Sequence, residues 1–227
     1  MIRFEEWEFM RSGVLLAAVT RRLRPHHPGW PAVLGPVRAH GRAIALRPPR
    51  PGDAADWCAA VRHDRQWLEP WWPTSSASWD SRSCAQGWRD RCDNFLRSAR
   101  RGGMIPMVVE VDGRFAGEMM LDRIDRDQGL AELGGWVYSE FHGTAVAATA
   151  MRELIRHGFG PVGLRRLTAP VGVGNRAAGI LVARNGFRKE GVLRSHMHVG
   201  GKLLDHQLWG LLPEDAEWLR DPANIVG

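Results

Sequence analysis

The stretch His142-Gly143-Thr144-Ala145-Val146-Ala147 follows a strand-like run and opens an amphipathic one. The first turn of a helix leaves amide N–H groups unpaired and carries a partial positive charge. Beside side chains this short, an anion, above all a phosphate, can reach those amides. Small residues equally suit close packing of a helix on a sheet, and the residues alone leave both open. A second set lies near the C-terminus, where period-two spacing puts His196 and His198 on one strand face with Arg194, opposite Leu193, Ser195 and Met197. Imidazoles there can exchange protons near neutral pH, or be ordinary exposed histidines. A third set is Glu69 with Trp71 and Trp72, a carboxylate for an ammonium with aromatic walls, or simple core cover. The nine histidines and the cysteines Cys58, Cys84 and Cys92 repeat no metal-ligand spacing, so no metal site is expected.

The elements that must position these groups follow from pattern. The chain has 227 residues, 44% of them hydrophobic, enough to bury a core. The apolar run Val14 to Val19 is too short to span a bilayer and precedes no small-residue cleavage site, so neither membrane span nor secretory signal is expected. The cysteines read as reduced thiols of a cytoplasmic protein. A formal charge of +6 suits an acidic small molecule, an RNA-rich setting or merely a soluble surface. Residues 1–37, rich in Arg, Pro and His, read as an irregular arm, and 38–227 as one domain.

Arg42 to Pro48 alternates as the first strand, and Asp53 caps a helix whose stripe is Ala54, Trp57, Cys58 and Val61. A long helix runs from about Ser81 to Arg101, with Cys84, Trp88, Cys92, Phe95 and Leu96 on one side. "MIPMVVEV" and "FAGEMMLDRI" flank an Asp-Gly turn. "LAELGGWVYS" is a third strand, interrupted at Gly134-Gly135 by a bulge or by the close approach of something else. The helix opening near His142 runs to about Phe159. Arg165 to Val173 is a strand, Asn175 to Asn185 a short helix, and the rest a closing hairpin around Gly200-Gly201. Tandem hairpins, then strand–helix–strand–helix–hairpin, predict one α/β domain with a mixed sheet.

The order of these motifs resembles the GCN5-related N-acetyltransferases. His142 to Ala147 resembles their acyl-CoA motif, Gln/Arg-x-x-Gly-x-Gly/Ala. "GNRAAGILVARNGFRKEGVLR" resembles a downstream family segment, with Asn175, Arg184, Gly186-Phe187, Glu190-Gly191 and Arg194 in register. "LEPWWP" and "AELGGWV" look like the RimJ/RimL-type branch that acetylates amino termini of ribosomal proteins, and "HPGWPAVLGPV" like its actinobacterial members. The resemblance covers roughly residues 27 to 213. It implies the GNAT fold: an α+β arrangement with a single mixed, mostly antiparallel sheet flanked by helices. Two positions depart from the pattern. Ala145 stands for the central glycine, where its Cβ either crowds a pyrophosphate or is tolerated at negative φ. Ala178 stands for a serine whose hydroxyl, in some relatives, is placed to protonate the leaving thiolate.

The resemblance implies acetyl-CoA as donor, no metal, and a primary amine as acceptor, most simply the α-amine of a protein or peptide N-terminus, possibly ribosomal. A small-molecule amine such as a polyamine or antibiotic is the enzyme alternative, and a non-catalytic acyl-CoA- or ribosome-binding member the other. No direct nucleic-acid readout is implied, and the assembly is a monomer or a homodimer. An α-amine has a pKa of about 8 and a lysine about 10.4, so deprotonation at neutral pH costs roughly 1 kcal/mol for the first and above about 4 kcal/mol for the second. A weak base through water therefore suffices for an amino terminus. Glu132 is the first candidate base, with pairing to an arginine as its alternative, and His196 the second. The resemblance places an oxyanion-directed amide near Trp136, Val137 and Tyr138. His142, Gly143, Thr144, Ala145, Val146 and Ala147 are expected to hold the pyrophosphate. Asn175 is expected on the pantetheine arm, or as a plain cap, and Arg184 on the 3′-phosphate, or as a surface charge. Glu69, Trp71 and Trp72 are expected to wall the acceptor channel.

Overall fold

The computed structural model describes residues 29–220. Eight strands form one sheet in the order β1-β2-β3-β4-β5-β6-β8-β7. They are β1 (Leu34–Ala39), β2 (Arg42–Arg47), β3 (Ile105–Val111), β4 (Arg114–Asp125), β5 (Leu130–Val137), β6 (Arg166–Gly172), β7 (Arg188–Val199) and β8 (Lys202–Leu211). All neighbours are antiparallel except β5 and β6. A parallel pair needs a crossover, and the helix α5 (Val146–Phe159) supplies it. The other helices are α1 (Ala54–His63), the single turns α2 (Arg65–Leu68) and α3 (Trp79–Arg82), α4 (Ala85–Arg100) and α6 (Arg176–Arg184).

Two apolar layers sandwich the sheet. On one face Met151, Leu154 and Ile155 of α5 and Val182 of α6 join Met119, Leu121 and Leu167 of the strands. On the other, Trp57 and Val61 of α1 and Trp88 and Cys92 of α4 pack on Val108 and Phe115. Strand β3 lies between both layers, which is why it reads as a continuous apolar run rather than an alternation. The Asp112-Gly113 turn has φ of 51° and 80°, the double left-handed geometry that a two-residue hairpin demands.

Four expectations change. The sheet begins before residue 38: β1 crosses the expected arm–domain boundary, and Trp30 is buried in the main core, while residues 1–28 of the arm lie outside the described residues. The long helix from Ser81 is broken at Ser83-Cys84, where Cys84 takes an extended conformation as cap of α4 instead of lying on its stripe. Asp53 does not cap α1 through its side chain, because Arg47 holds its carboxylate with two hydrogen bonds of 2.7 and 2.9 Å. The face shared by Arg194, His196 and His198 is interrupted: the β7–β8 register shifts between Leu193 and Met197, Ser195 has φ of 48°, and its amide donates to Asp205 Oδ1 at 2.8 Å.

Candidate functional site

Strands β5 and β6 pair only from Leu130, Ala131 and Glu132 to Arg166, Leu167 and Thr168. Beyond these residues they part, and the chain from the end of β5 passes through the turn Ser139–Phe141 into α5. Gly134 and Gly135 do not bulge, since Met120 and Met119 oppose them in unbroken register. Close approach is the reason for glycine here: a Cβ on Gly135 would lie 2.5 Å from the Glu118 carbonyl oxygen. The Tyr138 amide donates to Ala116 O at 2.8 Å, so alternation turns the amides of Gly135 and Val137 away from β4, toward the widening gap. Of the three residues expected to offer an amide there, Val137 alone has it so directed. Trp136 is half-buried against the opposite layer.

At the start of α5, Thr149 N–H reaches Ala145 O and Val146 N–H reaches Thr144 Oγ1 at 3.3 Å. The amides of Gly143, Ala145, Ala147 and Ala148 have no hydrogen-bond partner among the described residues. Ala145 sits at φ −74°, ordinary right-handed backbone, and packs with Ala147 against the core. The methyl at 145 is thus accommodated without strain. His142 keeps its ring out of this notch by donating Nε2–H to Val137 O at 2.9 Å. The free amides and the parted strands fit an acyl-CoA diphosphate.

The notch is fastened from below. Asp64, 1% exposed at the end of α1, accepts from Ser139 N at 2.7 Å and Ser139 Oγ at 2.5 Å. His63 meets Tyr138 edge-on, with ring centroids 5.5 Å apart. Across the gap, Asn175 caps α6 by accepting from Ala178 N–H at 3.1 Å, which leaves its amide nitrogen for a ligand. Arg184 is exposed, with no carboxylate within salt-bridge distance among the described residues. A cleft of about 370 Å³ lies against the opposite flank of α6, between Arg176, Gly179 and Ile180 and the strand residues Gln207 and Trp209. Among the expected site residues it touches Asn175 alone.

The two tryptophans diverge. Trp71 lies over the end of β6, where a Cβ on Gly172 would meet its ring at 2.8 Å. Trp72 turns into the other layer, 5.6 Å from Trp79 and 6.3 Å from Trp136, with the Arg91 guanidinium 5.2 Å above its ring. Their loop is pinned to the tip of the closing hairpin: Gly200 N–H donates to Trp72 O at 3.0 Å and Thr74 N–H to His198 O at 2.9 Å. Glu69 is held by Arg65 at 2.8 Å. Trp136 is held by Glu118, a carboxylate 1% exposed that accepts from Trp57 Nε1 at 3.1 Å, Trp136 Nε1 at 2.8 Å and Arg91 Nε at 3.0 Å.

Of the two candidate bases, Glu132 is paired with Arg123 at 2.9 Å. His196 is half-buried; its Nε2 is a buried atom with no partner among the described residues, and its ring stands 5.3 Å from that of His206. Burial, then the neighbouring His206, hold His196 below the ordinary histidine pKa, against a smaller upward pull from Glu132. The site thus keeps a neutral imidazole near pH 7. His206 is buried and donates Nδ1–H to Leu204 O at 3.1 Å. Its Nε2 lies 3.7 Å from where a Gly172 Cβ would be. Asp205 instead braces Ser195. Asp64, Ser139, Glu118 and His206 have no local pattern in the sequence that marks them; their roles come from contacts across the fold. Among the described residues no group of three or more His, Cys, Asp or Glu is placed to hold a metal ion, and no helix is long and apolar enough to cross a membrane.

Residues 43–188 match the family model described as Acetyltransferase (GNAT) domain. The chain is 34% identical to RimJ of Mycobacterium smegmatis, solved in complex with CoA-disulfide, with a TM-score of 0.81 over 84% of this chain and 92% of that one. It is 32% identical over 106 residues to the putative ribosomal N-acetyltransferase YdaF of Bacillus subtilis, covering 47% of this chain and 58% of that relative's length. Ribosomal-protein-S5-alanine acetyltransferase of Vibrio fischeri shares the fold at 22% identity, with a TM-score of 0.67 over 77% of this chain and 95% of the other.

Proposed function

The chain belongs to the GNAT acetyltransferase family, and on that premise we propose that it transfers an acetyl group from acetyl-CoA to the α-amine of a protein or peptide amino terminus, a ribosomal protein being the first acceptor to try. The observation that carries this reading is the set of unpaired amides at Gly143, Ala145, Ala147 and Ala148, where β5 and β6 part. The diphosphate of the donor sits on these amides. Its pantetheine arm runs into the gap toward the Asn175 amide, and Arg184 serves the 3′-phosphate.

The thioester carbonyl then lies along β5, where the Val137 or Gly135 amide faces the developing oxyanion. The amine arrives from the side of Trp71 and Trp72. It must be neutral, and His196 Nε2, held below the ordinary histidine pKa by burial and without a partner among the described residues, takes its proton. Glu132, engaged by Arg123, acts by holding charge beside that imidazole and not as the base itself. Ala178 offers no hydroxyl to the departing sulfur. A thiol of pKa about 8.5 leaves readily as thiolate, so an α-amine acceptor does not need one. Glu69, engaged by Arg65, and the aromatic walls argue against a polyamine, whose several ammonium groups would call for free carboxylates.

The test offers one peptide with a free α-amine and a second with that amine blocked and a free lysine, each with acetyl-CoA and read by mass spectrometry. Acetylation of the first alone is expected. Modification of the lysine peptide, or calorimetry showing no heat with acetyl-CoA, contradicts the reading.

A further inference from the structure

Beneath the acceptor wall lies a second, much smaller cavity, about 10 Å³, lined by Trp57, Val61, Trp72, Trp79, Arg82 and Ser83. That is the size one water or one halide ion fills. Three of these residues carry a buried polar atom with no partner among the described residues: Trp79 Nε1, Arg82 Nε and Ser83 Oγ. Trp79 and Ser83 are 5% and 1% exposed, so bulk solvent does not satisfy them. An unsatisfied buried donor costs about 1–3 kcal/mol, and three around one hole are not left so without an occupant.

The chemistry of the lining decides what that occupant is. An indole N–H and a guanidinium N–H only donate, and a hydroxyl can do so. Of the two other indoles of the lining, Trp57 and Trp72, the first has its N–H on Glu118. Arg82 is a cation with no carboxylate within salt-bridge distance among the described residues; its Nη1 donates to the Pro73 carbonyl, and its guanidinium lies 5.4 Å from the Trp79 ring centroid. The Arg82 guanidinium is half-buried, but its Nε is cut off from solvent, and an anion beside that N–H gains a charge–charge attraction that a water does not. We propose that Trp79 Nε1, Arg82 Nε and Ser83 Oγ form a binding site for one small monovalent anion of halide size, chloride being the obvious source in a cell. The ion sits against the edge of Trp72, so it supports the aromatic wall along which the acceptor enters. This inference does not depend on the assignment of the acceptor.

Crystals grown in sodium bromide test it through the anomalous signal of bromine. An anomalous peak within hydrogen-bonding reach of all three atoms is expected; a water there, or an empty hole, overturns the proposal. A solution measurement separates a built site from an adventitious ion. At equal ionic strength, replacing gluconate by chloride is expected to raise the Tm by about 3 °C through binding to the folded state. Ser83→Ala, which removes one donor and leaves the Arg82–Pro73 contact in place, is expected to cut that shift to below about 1 °C. An equal shift in both proteins, or a bromide peak with no shift in either, shows that the ion does not belong to the site.

Discussion

The proposed donor and acceptor sides of the cleft are built in opposite ways. The donor side, from Gly143 to Ala148, works through backbone: its working groups are amides, and its side chains matter by being small or, at Val146, by being buried in the core. The acceptor side is a dense layer of side chains, in which the buried Glu118 carboxylate holds Trp57 and Trp136 and guanidinium groups lie over Trp72 and Trp79. A nucleotide donor is large, charged and constant, so a bare helix start can recognise it. An acceptor terminus is small and variable, so its path must be shaped by rigid walls. The donor side is therefore sensitive to added bulk and the acceptor side to lost groups.

The largest effect expected from breaking this contrast is at Glu118. Glu118→Ala strands two indole N–H groups and the Arg91 guanidinium in the core, and is expected to cost about 3–5 kcal/mol, seen as a lower urea midpoint at unchanged slope. On the donor side, Gly143→Val meets no atom of the protein itself within 4 Å, yet it forces a β-branched residue to φ of 71° and projects into the notch. We expect a stability loss of only about 1–2 kcal/mol but at least about tenfold weaker acetyl-CoA binding by calorimetry. Ala145→Gly, by contrast, leaves that affinity within about twofold, because the methyl already faces the core.

Where the two sides are tied together, the effect is intermediate. Ser139→Ala removes one of the two hydrogen bonds to buried Asp64 and is expected to cost about 1–2 kcal/mol. It should raise the donor KM several-fold with little change in kcat; a loss confined to kcat would move Ser139 from support to chemistry. The smallest effect concerns pH. The folded state holds His196 below its ordinary pKa of 6.5, so the folded protein binds that proton less readily than the unfolded chain. Its contribution to stability is intact above about pH 6.5 and is lost as pH falls below that value. His196→Gln should flatten this acid-side slope in a series of thermal melts, and an unchanged slope would assign it to another group.

The sequence was most informative about short-range structure. The Asp112-Gly113 turn, the helix opening after His142, the cap at Asn175 and the crossover between β5 and β6 all rest on neighbours in the chain, and they appear where expected. Strand β1 did not read as a strand because Gly35-Pro36 breaks its pattern. The partners of the charged groups were equally hidden. Glu132 meets Arg123 only through the irregular register of β4 on β5, and Asp64 meets Ser139 across 75 residues. The shift at Ser195, which separates His196 from its expected face, depends on Asp205 on the neighbouring strand. Such contacts are properties of the packed sheet and leave no local period.

The central claim is that four backbone amides hold the donor. Titrating acetyl-CoA into ¹⁵N-labelled protein observes those amides individually. The resonances of Gly143, Ala145, Ala147 and Ala148 should show the largest saturable shifts, with Thr149, already bonded to Ala145 O, moving less. Saturable binding that leaves these four in place and moves the residues of the α6 cleft, Gly179 and Ile180, would put the donor on the wrong side of that helix and contradict the account.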